Sequence, residues 1–249
     1  MRQPTRPRVT TLFLVGGVAV AVAMAACSGS MPPSPITPTV PTITTLPSID
    51  EMLSEKTLGS GPITIIEYVS FWDTGSATFY LTGDGAQMKS QYADTGKAQI
   101  LFRNLFLGSE LATSGIPVAA MLARCAGNAH FFDAVATIFQ SQATWKNALN
   151  PDTGVQQVML GFGLSQSLIN SCLANTALVN GLGDIHTNAE QATYQLPDGT
   201  QRIGSAASGS ILAVPAVVVN GVLFDGTNSD GSANAAFAPT LANIQPLLK

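Results

Sequence analysis

Two sets of residues in this sequence of 249 residues have side chains suited to covalent or acid–base chemistry. The first set is the cysteines Cys27, Cys125 and Cys172, an odd number that sets one apart from the other two. The second is the run Asp73-Thr74-Gly75-Ser76, in which a carboxylate precedes a hydroxyl by three positions. A thiolate exchanges disulfides or binds metals, whereas a carboxylate moves protons or caps a helix. The elements around each residue decide among these roles.

Cys27 follows a segment with the layout of a secretory signal, in which arginines precede an apolar run from Leu12 to Ala26. The segment ends in Met24-Ala25-Ala26-Cys27, which is similar to a bacterial lipobox, where the cysteine becomes the lipidated N-terminus. We therefore predict a lipoprotein signal peptide over 1–27 and lipidation at Cys27. The protein would then lie in the periplasm or cell envelope, anchored to a membrane by lipid. An ordinary signal peptide or an uncleaved membrane anchor is the alternative.

Residues 28–47 predict a Pro/Thr-rich linker. Its prolines are Pro32, Pro33, Pro35, Pro38, Pro41 and Pro47. Proline favours the extended polyproline II conformation, which rises ~3.1 Å per residue, so the linker could hold a domain roughly 60 Å from the lipid. Hydrophobic residues make up 46% of the whole chain, enough for the remaining residues, 48–249, to form a packed core.

The elements that position Asp73 are a strand before it and a helix after it. The β-branched run Ile63–Val69 predicts a buried strand, a helical stretch then reaches about Tyr92, and Ala98–Asn104 predicts a second strand. Strand, helix and strand in this order form a right-handed βαβ unit. Asp73 is therefore expected where the helix begins.

The second half of the chain is predicted to be helical from Pro117 to about Tyr194, with both remaining cysteines inside that stretch. Strands are predicted at Ala216–Asn220 and Val222–Phe224, joined at Asn220-Gly221, a strong hairpin signal. A helix ending at Leu248 closes the chain. The order is β-α-β, a helical insert, then β-β-α.

This order resembles the α/β thioredoxin fold with a helical insertion, the architecture of DsbA-like proteins. Local sequence is similar to that family over most of 58–249, and the insert is expected over about 113–195. The similar stretches are Leu58-Gly59-Ser60 with Pro62–Tyr68, Tyr92–Arg103, Ala120–Ala126, Cys172-Leu173-Ala174 and Val214–Gly221. The resemblance implies a single DsbA-like domain over 48–249 that needs no cofactor.

The sequence departs from that family at the redox site. DsbA-like proteins carry Cys-x-x-Cys after the first strand, and the register places Asp73 on the nucleophilic cysteine and Ser76 on its partner. Disulfide exchange requires a thiolate that attacks sulfur, which neither a carboxylate nor a hydroxyl replaces. We therefore predict no catalytic residue and no oxidoreductase activity at this degenerate motif.

Cys125 and Cys172 both fall in helical segments of the predicted insert. In an oxidising compartment two such cysteines favour a structural disulfide, and several DsbA-like proteins carry a comparable one. The alternative is a displaced redox pair, which would make the protein a periplasmic thiol:disulfide oxidoreductase acting through these two cysteines.

A binding groove is what the family resemblance implies beside the vacated site. In DsbA-like proteins a cis-proline loop faces the redox motif and holds extended peptides through its backbone. The corresponding loop here is Val214-Pro215, and Phe71, Trp72 and Asp73 are the residues expected beside it. We predict an unfolded or extended peptide or protein partner at this groove. Trp72 is either an exposed anchor or simply a core residue.

Other classes of function are excluded or disfavoured. A net charge of −4 and a pI near 5.0 give no basic field for nucleic acid. His130 and His186 show no metal-ligand spacing with another ligand. The repeated Asp-Thr-Gly at Asp73 and Asp94 is also found in aspartic proteases, but those need two closely spaced carboxylates on separate β-lobes. Turn chemistry explains both motifs here.

Overall fold

A computed structural model describes residues 42–107, 115–204 and 209–249. The predicted signal peptide, the lipidation site Cys27 and residues 28–41 of the predicted linker lie outside these ranges. The last residues of that linker belong to the domain. Ile43 donates its amide to the Gly163 carbonyl at 2.8 Å and accepts from the Ser165 amide at 3.0 Å, and Leu46 packs on the core.

A seven-stranded mixed sheet forms the centre of the domain, in the order β1-β3-β2-β6-β7-β4-β5. The strands are β1 (Lys56–Gly59), β2 (Ile63–Val69), β3 (Ala98–Asn104), β4 (Thr193–Gln195), β5 (Gln201–Ile203), β6 (Ala216–Val219) and β7 (Val222–Phe224). Strands β2 and β3 are parallel, and β6 runs antiparallel to β2 on its other side. Strand β2, which leads to Asp73, thus lies in the interior of the sheet, between β3 and β6.

Ten α-helices surround the sheet in the described ranges. They are α1 (Ile49–Leu53), α2 (Thr74–Leu81), α3 (Asp84–Met88), α4 (Ile116–Cys125), α5 (Phe131–Gln140), α6 (Gln142–Lys146), α7 (Pro151–Phe162), α8 (Gln166–Leu173), α9 (Thr176–Gln191) and α10 (Leu241–Ile244). A π-helical turn, Lys89–Ala93, follows α3, and short 3-10 turns occur near the C-terminus. Among these described helices none is long and apolar enough to cross a membrane.

Two apolar clusters cover the two faces of the sheet because side chains alternate along each strand. Ile65 and Val69 of β2 face the larger cluster, which includes α2, α4, α5, α7 and α8. Tyr68 of β2 faces the smaller cluster, with Tyr194 and Leu223. The long insert α4–α9 lies between β3 and β4 in sequence and contributes most of the larger core.

The predicted α/β architecture is confirmed, and β2, β3 and β7 have the predicted bounds. The predicted helix to Tyr92 is divided into α2, α3 and the π turn. Near this division Gly85 packs closely against the Phe79 ring. A side chain at position 85 would not fit, since its Cβ would lie 2.5 Å from that ring. The short strands β1, β4 and β5 were not predicted.

A helical segment closes the chain as predicted, but it is short: α10 continues into a 3-10 turn over Gln245–Leu247. Between β7 and α10, polar side chains bind the backbone locally. The Asp225 carboxylate accepts from the Thr227 amide at 3.1 Å, and Asp230 accepts from the Ser232 amide at 2.9 Å. Such local bonds compete with the helical hydrogen-bond pattern and favour turns.

Candidate functional site

Asp73 is the N-cap of α2, directly after the central strand β2. Its backbone is extended, with φ −78° and ψ 126°, and its carboxylate accepts a hydrogen bond from the Ser76 amide. A carboxylate in this position satisfies an otherwise unpaired amide and interacts favourably with the helix dipole. The Asp73 side chain is half-buried, while Thr74 and Gly75 are exposed. The sequence predicted this place for Asp73.

Ser76 lies behind Asp73 and is completely buried. Its hydroxyl accepts a hydrogen bond from the Ser70 amide at 3.2 Å. The Ser70 hydroxyl in turn accepts from the Trp72 amide at 3.1 Å. Ser76 therefore fixes the loop between β2 and α2, and its hydroxyl is not offered to a reactant.

The peptide bond between Val214 and Pro215 is cis and lies against the start of α2. A Cβ at Gly75 would lie 3.6 Å from Cδ of Pro215 and 3.0 Å from the Asp73 carboxylate. Strand pairing causes this proximity: β6 begins at Ala216, which is opposite Tyr68 near the end of β2. The structure thus brings together Asp73 and Pro215, two residues that the sequence predicted to face each other.

Trp72 is half-buried and packs against α6. Its ring centroid is 5.8 Å from that of Trp145, and the Lys146 ammonium lies 4.6 Å from the Trp72 ring. Lys146 also donates to the Trp72 carbonyl at 2.6 Å. The side chain of Trp72 therefore has both properties considered for it, a packed face and a partly exposed one.

Phe71 is the predicted binding residue that the fold places inside the core. It is 1% exposed, and its ring packs against Phe139 at 5.1 Å between centroids. Its contribution to the loop is its main-chain carbonyl, which accepts a hydrogen bond from the Gln142 side chain at 2.7 Å. The same amide group of Gln142 also donates to the Asp73 carbonyl at 3.0 Å. Phe71 supports the loop from within, because side chains alternate between core and surface as β2 ends.

Sequence reasoning did not find the residues of α6 that hold this loop. Gln142 and Lys146 bind main-chain carbonyls about seventy residues away, at sequence separations from 69 to 74. No local pattern marks a side chain for such a long-range contact. One indirect indication for Gln142 was present in the sequence, because it is a polar residue close to an apolar helix face. In the structure its side chain is buried, with 5% exposure.

A buried ion pair holds the segment that leads into Pro215. The Arg202 guanidinium donates to the Asp225 carboxylate at 2.5 Å, and both side chains are almost fully buried. The same carboxylate accepts from the Leu212 amide at 3.0 Å, and Arg202 also donates to the Thr227 carbonyl at 2.9 Å. Sequence analysis missed this pair too, because neither residue lies in a recognisable motif.

Cys125 and Cys172 form a disulfide, as predicted. Their Cα atoms are 6.1 Å apart, and the bond joins α4 to α8. Both residues are 0% exposed. A partner thiolate has no route to either sulfur while these helices remain packed.

The other sequence motifs form no additional reactive centre. Asp94 lies after the π turn, at the opposite end of the helical segment from Asp73, and pairs with Lys89 at 2.7 Å. His186 lies 3.3 Å from Glu190. Across the residues that the structure describes, no group of three or more His, Cys, Asp or Glu could hold a metal ion.

A central βαβ unit, a helical insertion and a cis-proline facing the start of α2 define a thioredoxin-fold protein with a DsbA-like insertion. Comparison with known families agrees: a model described as "Thioredoxin" matches residues 59–236, and the chain belongs to this family. No curated protein matches the sequence.

The chain is similar to several solved structures. A protein-disulfide isomerase from Novosphingobium aromaticivorans is 19% identical, with a TM-score of 0.53, and the match covers 77% of this chain and 94% of that one. A thioredoxin-like oxidoreductase from Silicibacter pomeroyi is 13% identical, with a TM-score of 0.50, and the match covers 81% of this chain and 96% of that one. Alpha-DsbA1 from Wolbachia pipientis is 26% identical, with a TM-score of 0.48, and the match covers 55% of this chain and 67% of that one.

Proposed function

We propose that this DsbA-like protein performs no disulfide exchange and instead binds an extended segment of a partner protein. The binding surface consists of Trp72, Asp73, Val214 and Pro215. The observation that carries the proposal is that a capping carboxylate, not a thiol, lies at the helix N-terminus opposite the cis-proline. A site that keeps its recognition loop while lacking a nucleophilic sulfur is suited to binding alone.

The chemistry of the loop supports the absence of exchange. Disulfide transfer proceeds through a mixed disulfide, which requires a thiolate at the attacking position. The Asp73 carboxylate is engaged by the Ser76 amide, and the Ser76 hydroxyl is buried. The alternative, exchange through Cys125 and Cys172, is not favoured because both sulfurs are buried in the insert.

The backbone of Val214 supports binding of an extended chain. Within the described part of the molecule, its amide and carbonyl have no hydrogen-bond partner, and the residue is half-buried. Unpaired main-chain groups at a surface can pair with an added strand, which gives affinity without demanding a particular sequence. The partly exposed ring of Trp72 would then contact the partner's side chains.

We further propose that Cys27 carries the lipid and anchors the domain to a membrane of the envelope. The proposal rests on the similarity of Met24-Ala25-Ala26-Cys27 to a lipobox. Mass spectrometry of the mature N-terminus tests it, and an unmodified Cys27 within an uncleaved chain would refute it.

Photo-crosslinking combined with a redox assay tests the main proposal. A crosslinking residue at Thr74 or Val214 should capture a denatured, cysteine-free model protein, because both positions border the proposed surface. The matched control is exposed Lys97, which should capture none. Insulin reduction should proceed at the rate of buffer. Equal capture at all three positions, or catalysed reduction, would contradict the proposal.

A further inference from the structure

A cavity of about 280 Å³ lies between the sheet and helices α2, α3 and α5. Its inner wall includes Glu67 of β2 and Ile100 of β3, and the rings of Tyr80 and Phe132 line its sides. Asp133 belongs to the exposed outer end of the cavity. None of these residues belongs to the surface proposed to bind an extended chain.

Glu67 is the unusual member of this lining. It is 3% exposed, and its Oε1 atom is buried without a hydrogen-bond partner in the described residues. A buried carboxyl group without a partner is costly, and native structures satisfy most such groups. The inner end of the cavity therefore holds an unpaired hydrogen-bond acceptor among the described residues.

Most of the ionisable side chains that line the cavity are acidic. Glu67 and Asp133 both line it, and burial together with the ionised forms of these two carboxyl groups raises the pKa of the Tyr80 hydroxyl. The cation in the lining is Lys89, whose ammonium is already bound to Asp94 at 2.7 Å. A ligand that supplies positive charge would thus pair with the ionised form of Glu67, to which the lining offers no unpaired cation.

Apart from the exposed Gln140, the remaining lining is apolar or aromatic and includes Leu58, Leu81, Ile100 and Phe132. A metal ion is disfavoured, since the described residues contain no cluster of three or more candidate ligands. An ammonium on a short hydrocarbon stem fits better. Its N–H groups can bind Glu67, its stem can replace water against the apolar wall, and its charge can lie near the rings of Tyr80 and Phe132.

We propose that this cavity binds a primary ammonium group carried on a short apolar stem, with Glu67 as its counterion. The stem belongs either to a small free amine or to a lysine side chain of another protein. This site is distinct from the surface proposed to bind extended segments, and a negative result for either proposal would leave the other unaffected.

Binding should be linked to the proton on Glu67. Burial raises the pKa of this carboxyl from 4.5 to about 8, so it is largely protonated near neutral pH when the cavity is empty. The ammonium binds the ionised form, so the proton is released to solvent on binding. The other charged or titratable groups facing the cavity are Tyr80, Asp133 and Lys89. Affinity should therefore increase as the pH rises from 6 to 8, by about tenfold or more.

NMR titration of the full chain with n-butylammonium chloride tests the site. 1-Butanol has the same number of heavy atoms without the charge, and a peptide, acetyl-Gly-Lys-Gly-amide, presents the lysine form. Glu67→Gln keeps the shape of the side chain and removes the charge. Asp198→Asn is the matched control, because Asp198 is exposed and lies outside the cavity lining.

The wild type and Asp198→Asn should bind n-butylammonium with the same affinity, and Glu67→Gln should bind about tenfold more weakly or not at all. Binding of the peptide as well would assign the site to lysine side chains, whereas binding of the free amine alone would assign it to small amines. Equal binding of 1-butanol, full retention of binding in Glu67→Gln, or no saturable binding would each overturn the proposal. Should Glu67→Gln fail to fold, the increase in wild-type affinity between pH 6 and pH 8 decides, and its absence would equally overturn the proposal.

Discussion

At the residue scale, two carboxylates near the middle of the fold have opposite environments. Asp73 lies at a helix N-terminus and is stabilised there as a cap. Glu67, on the preceding strand, is enclosed by apolar side chains and lacks a partner for Oε1 among the described residues. The same chemical group therefore stabilises the fold at one position and costs free energy at the other.

Glu67 should make stability depend on pH. Its folded-state pKa is raised to about 8, while the unfolded chain has the ordinary value of 4.5. Between these values the folded state holds a proton that the unfolded state has lost, so the free energy of unfolding falls as the pH rises through this window. Above the folded-state pKa the loss is complete and on the order of a few kcal/mol.

Urea denaturation at pH 5, 6.5 and 8.5 checks this expectation. In Glu67→Gln the free energy of unfolding should decline less as the pH rises, because a neutral amide has no charge to desolvate. For the same reason this variant should be more stable than the wild type at pH 8.5. Asp198→Asn should leave the decline unchanged, since Asp198 is exposed. A wild type with equal stability at the three pH values would contradict the assigned environment of Glu67.

At the element scale, the segment before Pro215 is held by side chains from elsewhere in the sheet region. Asp225 binds both Arg202 and the Leu212 amide. These contacts connect β5, the segment before β6 and the loop after β7. The cis-proline loop is therefore supported by a buried ion pair that lies outside the central βαβ unit.

Asp225→Asn should destabilise the protein by about 3–5 kcal/mol, because it leaves Arg202 buried without its counterion. Asp94→Asn breaks an exposed ion pair and should cost at most about 1 kcal/mol. Chemical denaturation of both variants provides the comparison. A loss in Asp225→Asn no larger than in Asp94→Asn would show that the buried pair is not needed.

The elements differ in how far the sequence could predict them. Strands β2 and β3 are runs of β-branched and aromatic residues and could be assigned directly. Strands β4 and β5 have three residues each, of which only the middle one is buried, and are too short to leave a periodic signal. The predicted closing helix is present but short, since local side-chain bonds in the segment after β7 favour turns.

The site shows the same division. Asp73 and Pro215 could be predicted to meet because family resemblance fixed their register. Glu67 also left a signal, since it alternates with Ile65 and Val69 and so had to face the core. The contacts of Gln142 and Lys146 could not be predicted, because they depend on how α6 packs in three dimensions.

At the scale of the whole molecule, the disulfide connects two distant parts of the helical insert. Cys125 and Cys172 are separated by 47 residues, and the bond joins α4 to α8 within the larger core. Because a crosslink of this span restricts the unfolded chain, it should contribute roughly 4 kcal/mol to stability in the chain-entropy model.

The variant that carries both Cys125→Ala and Cys172→Ala should therefore melt at a markedly lower temperature than the oxidised wild type, measured by circular dichroism. A reducing agent should lower the melting temperature of the wild type toward that of the variant. The variant itself should show no response to the reducing agent. Equal melting temperatures for the oxidised wild type and the variant would contradict a stabilising role.

The pairing of Ile43 with the turn between α7 and α8 has a mechanical consequence. A pull on the chain before residue 42 meets the two hydrogen bonds that Ile43 makes with Gly163 and Ser165. The load then passes to α8, which is covalently tied to α4 through the disulfide. Tension from the N-terminal side thus acts on the helical insert at Ile43 before it acts on β2 further along the chain.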